Sequence, residues 1–179
     1  MRRGKFLLLL ILLAGMVGFL FTVRGDWRTY VVEHLTGETP EAKVRAFAHA
    51  LAAGDESRAL QLWQVPASLP EETRAALVAR QKRTVERLLR AGTEGHVDIL
   101  DVEWWGTCCE PRPISSPKDA GGARIRVRLH TREGPAVYIF DVFVRDGPYW
   151  GAVMNYPPRH WVIRDVYPEG EAPLYWQFR

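Results

Sequence analysis

Hydrophobic positions follow three different patterns along the chain. From Phe6 to Val23 (FLLLLILLAGMVGFLFTV) they run for 18 residues without a charge, behind Arg2, Arg3 and Lys5. From Thr39 to about Ala91 they recur at helical spacing, and from Val97 onward they alternate. At 1.5 Å per residue the first run spans roughly 27 Å, close to the ~30 Å hydrocarbon core of a bilayer. It is apolar on every side, which argues against a helix buried in a soluble core. The reading is a single-pass signal anchor: residues 1–5 cytoplasmic by the positive-inside rule, 6–23 in the cell membrane, 24–38 a connector, and 39–179 an extracytoplasmic domain. A cleaved signal peptide is the competing reading. Its apolar region is usually about 7–15 residues with a small-residue site after it, and Val23-Arg24-Gly25 fits such a site poorly. Both readings put the domain outside the cytoplasm.

The helical region divides into three. Thr39 as N-cap, Pro40 in the first position and Glu41 in the first turn predict a helix to Ala53. Val44, Phe47, Ala48 and Leu51 form its apolar stripe, and Gly54 ends it. Asp55 caps a short helix over Glu56–Gln64, with Ala59, Leu60 and Trp63 inward. Ser68-Leu69-Pro70-Glu71 reads as a capping box opening a long helix to about Ala91, with Leu77, Val78, Val85, Leu88 and Leu89 on its buried side.

The alternating region predicts strands over Val97–Trp105, Arg124–Arg132, Ala136–Arg145, Tyr149–Tyr156 and Arg159–Tyr167. In the first, Leu100, Val102 and Trp104 share a face, opposite Asp101, Glu103 and Trp105. In the second, Ile125, Val127, Leu129 and Thr131 point one way and Arg124, Arg126, Arg128, His130 and Arg132 the other, as on a sheet with one wet face. Ala136–Arg145 is more continuously apolar and is expected at the sheet centre.

Composition adds one exclusion. Three of the 24 basic residues precede the apolar run, and the other 21 match the 21 acidic ones. A chain that is formally neutral beyond the run lacks the net positive footprint of a nucleic-acid binder. Phosphate-loop, dinucleotide, nucleophile-elbow and zinc-protease motifs do not occur, and no cofactor is implied. Cys108 and Cys109 are the two cysteines, adjacent in a loop rich in Pro, Ser and Gly. A disulfide between neighbours is strained, because their Cα atoms lie about 3.8 Å apart. Such a bridge suits a rigid loop or a redox-responsive element. Two adjacent thiols lack a chelating spacing, so no metal site is expected from them.

The stretch PEAKVRAFAHALAAGDESRALQLW, Pro40 to Trp63, resembles the opening of the nuclear transport factor two-like (SnoaL-like) superfamily. There a first helix ends at an Ala-Gly-Asp step and a short second helix runs to an aromatic residue. The resemblance covers roughly residues 39–167 and implies an α+β fold, three helices packed on a curved antiparallel sheet that wraps a pocket as a cone. Some members are isomerases, dehydratases or hydrolases; others bind or scaffold. Fold analogy does not choose between these. On this reading Trp63, Trp104, Tyr138 and Trp150 are the candidate pocket residues, with plain core as the alternative for each, and the partner is another envelope protein or a small apolar ligand. Asp98, Asp101, Asp141 and His130 are the titratable strand positions. Asp141 sits in an apolar strand, where burial would raise its pKa and make it a candidate general base. The alternative is an ion pair with an Arg of the neighbouring strand, such as Arg126 or Arg128. His130, on the Arg-rich face, is expected to be solvent-exposed.

Overall fold

The computed structural model describes residues 38–67, 69–106, 113–115, 120–144 and 160–174, with Gly15 and Leu35. The apolar run apart from Gly15, Ser68, Cys108, Cys109, Trp150 and the strand expected over 149–156 lie outside the described residues. Among the described residues no helix is long and apolar enough to cross a membrane. The domain is α+β, three helices followed by an antiparallel sheet.

Helix α1, Pro40–Ala52, begins as its sequence dictates. The Thr39 hydroxyl accepts the Ala42 N–H at 3.2 Å, and Pro40 needs no N–H partner. All four stripe residues are buried. Helix α2, Glu56–Leu62, is capped by Asp55, whose carboxylate accepts the Arg58 N–H at 2.9 Å. It stops short of the expected Gln64 because Trp63 turns extended and bridges Ile163. Helix α3, Glu71–Ala91, has Pro70 at its N-cap with no side-chain hydrogen bond, so the expected capping box does not set its start. Thr73 and Thr84 join Leu77, Val85 and Leu88 on its buried side, whereas Val78 is exposed, contrary to the stripe expected there. Gly92 ends α3 at φ +69°, and a Cβ there would sit 2.8 Å from Arg132 Cδ.

Five strands follow among the described residues: β1 Thr93–Gly106, β2 Pro113–Ile114, β3 Ala120–Thr131, β4 Ala136–Val144 and β5 Trp161–Pro168. Their order is β2-β1-β3-β4-β5, all antiparallel. Strand β1 starts earlier than the expected Val97. A register shift between Ile99 and Asp101 also changes its faces. Val97 and Ile99 pack inward, then Val102 and Trp104, so Leu100 is not on the core face as expected. One inserted residue reverses the alternation, which a strict two-residue period cannot foresee.

Helix α1 lies across β1, β3, β4 and β5 and fills the inner side of the sheet. Phe47 is its central side chain, edge-on to Phe140 at 5.6 Å and to Trp63 at 6.3 Å between ring centroids. The edge of β5 is covered. The Gln64 N–H donates to Ile163 O at 2.8 Å, and the Arg164 guanidinium donates back to Gln64 O at 3.1 Å. The Trp63 indole N–H donates to Arg164 O at 2.9 Å. This clasp joins the helical layer to the last strand and pairs part of its outer edge at Ile163 and Arg164.

Candidate functional site

Three of the four aromatic residues expected around a pocket, Trp63, Trp104 and Tyr138, are part of the packed interior. Trp63 and Tyr138 are buried, and Trp104 packs edge-on against Trp161 at 6.4 Å. All three belong to the cluster on the helix-facing side of the sheet. Burial holds the Tyr138 hydroxyl above its ordinary pKa. Two clefts formed by described residues have other linings. One, of about 390 Å³, is bordered by Lys43, Arg58, Gln61, Gln64 and His160. The other, of about 460 Å³, includes Leu51, Leu89, Arg90, Thr93 and Arg132.

Asp141 is fully buried on β4. Register places Arg124 of β3 directly opposite, and its guanidinium meets the carboxylate with Nε at 2.9 Å and Nη2 at 3.4 Å. Such a two-pronged contact is the strong form of a carboxylate–guanidinium pair. The Tyr167 hydroxyl donates to the second oxygen at 3.2 Å. The expected alternative, an ion pair across strands, is therefore present, but with Arg124 rather than Arg126 or Arg128. Arg126 pairs with Glu169 at 2.7 Å instead, and Arg128 lies 3.7 Å from Asp98. Asp165 of β5 stands opposite Asp141 on the other side and is also fully buried. Arg80 of α3 donates to it at 3.1 Å, and the Val166 and Leu174 N–H groups at 2.9 and 2.8 Å. Two facing carboxylates would repel; an arginine from each flank compensates them. Between them Tyr167 stays a neutral donor, its pKa pushed well up by burial and then by the Asp141 charge.

A third arrangement lies toward the other end of β1 and β3. Asp98 holds two imidazoles: its Oδ1 is 3.2 Å from His96 Nε2 and its Oδ2 is 2.9 Å from His130 Nε2. The rings of His96 and His130 are 5.3 Å apart. The hydrogen bond from His130, with the charge of both imidazoles, holds the Asp98 carboxyl below its ordinary pKa. His130 is only one-third exposed, at 33%, and engaged, rather than the free surface side chain expected from its row of arginines. Asp101 is exposed on the same strand, beyond the register shift. His96 is a site residue that the sequence reading does not single out. The signal for it is the His96-Val97-Asp98 spacing, which puts both polar side chains on one face of a strand.

No family model, no curated protein and no solved structure matches the chain.

Proposed function

We propose that this chain is a membrane-anchored extracytoplasmic binding or scaffolding module, with a cone-shaped domain of nuclear transport factor two-like type held outside by residues 6–23. The observation that carries the choice of binding over catalysis is the state of Asp141. The carboxylate best placed to act as a base is sealed from water and committed to Arg124 and Tyr167. A general base needs a free lone pair within reach of substrate. Trp63, Trp104 and Tyr138 are spent on packing, and the cleft beside α1 and α2 is mainly polar and carries Lys43, Arg58 and His160. Another envelope protein is therefore the partner proposed here.

Two measurements test this. The full chain fused at its C-terminus to alkaline phosphatase should be active in intact cells and stay with membranes after carbonate extraction; deletion of 6–23 should abolish both. An inactive fusion in the soluble fraction would reject the anchored topology. A photo-crosslinking residue at Arg58 or Gln61 should give a discrete adduct with one envelope protein, and one at exposed Lys82 should not. Identical patterns at all three positions would reject the cleft as the contact.

A further inference from the structure

We propose that His96, Asp98 and His130 form a binding site for a divalent transition metal of zinc type. The inference concerns the domain itself and holds whichever way the N-terminal run is read. One donor atom from each residue can be chosen so that all lie within 4.8 Å of one another. Zinc–nitrogen and zinc–oxygen bonds of about 2.0–2.2 Å separate tetrahedral donors by roughly 3.3–3.5 Å. His96 Nε2 lies 3.2 Å from one carboxylate oxygen and His130 Nε2 2.9 Å from the other, so both imidazole nitrogens already face the same carboxylate at slightly less than that separation.

The backbone explains why three separate residues converge. Strands β1 and β3 pair antiparallel, with Val97 opposite Leu129 and Asp98 opposite Arg128. Neighbouring strands are about 4.8 Å apart, within the reach of facing side chains. Between Thr93 and Val97 the register shifts, and Gly95 turns there at φ +80°. A Cβ on Gly95 would lie 3.0 Å from the Ala52 Cβ of α1, so the chain passes close under the helix before His96 emerges. Irregularities of this kind re-aim a side chain. Here the result is that His96 and His130 flank the same carboxylate.

Donor chemistry selects the metal. Two neutral imidazoles and one carboxylate suit zinc and its neighbours, whereas magnesium and calcium prefer all-oxygen shells. Three protein donors leave a coordination position for water or for a donor from a partner. Arg128, at 3.7 Å from Asp98, opposes a second cation at this place. That opposition supplies a test that a purely structural cluster would not pass.

The experiment is titration of the full chain, purified in detergent without a histidine tag, with Zn(II) by calorimetry and with Co(II) by visible absorption. One equivalent should bind, and Co(II) should develop the intense d–d bands of a four- or five-coordinate site. His130→Gln and His96→Gln should each weaken zinc by at least ~100-fold, more than loss of an outer-shell partner would. Arg128→Gln should tighten it several-fold, and His160→Gln should change nothing. Lack of saturable binding in the wild-type chain overturns the proposal. So does binding that survives both His96→Gln and His130→Gln, which would locate the metal elsewhere. Both substitutions are of partly exposed side chains, so folding is not at stake.

Discussion

Asp141 and Asp98 occupy equivalent places on the sheet and meet different fates. Each stands on a strand beside β3, and each has an arginine of β3 directly opposite, Arg124 for Asp141 and Arg128 for Asp98. At Asp141 water is excluded and the guanidinium closes on the carboxylate at 2.9 Å. At Asp98, 38% exposed, the arginine stays 3.7 Å away and two imidazoles take the oxygens. The same cross-strand pairing is thus a fixed part of the interior in one place and a loose neighbour in the other. Attraction between solvated charges is weak and screened, so it does not hold two long side chains in one geometry. Burial decides whether an Asp–Arg pair is architecture or leaves the carboxylate available to something else.

The largest way to break this comparison is Arg124→Met. It strands Asp141 as a buried, half-compensated charge, and denaturant unfolding should show a loss of about 3–5 kcal/mol. Replacing both partners, Arg124→Met with Asp141→Leu, should restore much of it, because neither charge of that pair is then left buried alone. Arg80→Met should cost less, about 1–3 kcal/mol, since Asp165 keeps the Val166 and Leu174 N–H groups. Tyr167→Phe should cost about 1 kcal/mol for one hydrogen bond at neutral pH. The same substitution sharpens the contrast at high pH. The folded-state pKa of Tyr167 is raised above the unfolded value of about 10, so above that pH the native state holds the extra proton. Stability is full below pH ~10 and falls as pH rises past it; Tyr167→Phe should flatten that fall in a pH series of unfolding midpoints. The smallest effect is expected at the open site. Asp98→Asn should leave the unfolding midpoint where it is while abolishing zinc binding, and a large destabilisation would show that the two carboxylates are not opposites.

Much of this is visible in the residues themselves. The α1 stripe is legible because a strong cap and a clean i, i+3, i+4, i+7 pattern agree, and β3 because its arginines alternate with Ile125, Val127 and Leu129. The interior place of β4, flanked by β3 and β5, follows from its unbroken apolar character, although the middle strand is β3 rather than β4 as expected. Three features are not legible. Leu100 is displaced by a register shift that no two-residue period encodes. Trp63 leaves α2 because Ile163 and Arg164, far along the chain, offer its backbone and indole better partners than another helical turn. Val78 lies at a helical spacing that suits burial, yet Thr73 and Thr84 take that side of α3. For the site, Asp141 and its cross-strand arginine are readable as a class, but choosing Arg124 over Arg126 needs the register. His96 is hidden because it precedes the alternating run and because Gly95 masks the start of the strand.

The clasp over β5 also governs when the domain can close. Trp63 and Arg164 are bonded across 101 positions, Gln64 and Arg164 across 100, and Arg80 and Asp165 across 85. Contacts this distant must close large loops before they repay the entropy, and they slow folding. The helices leave the ribosome first and are secured last. A chain cut after β4 keeps Phe47 and Trp63 but loses Ile163 and Arg164, so the helical layer is left as unlatched apolar surface, the state most open to proteolysis and aggregation.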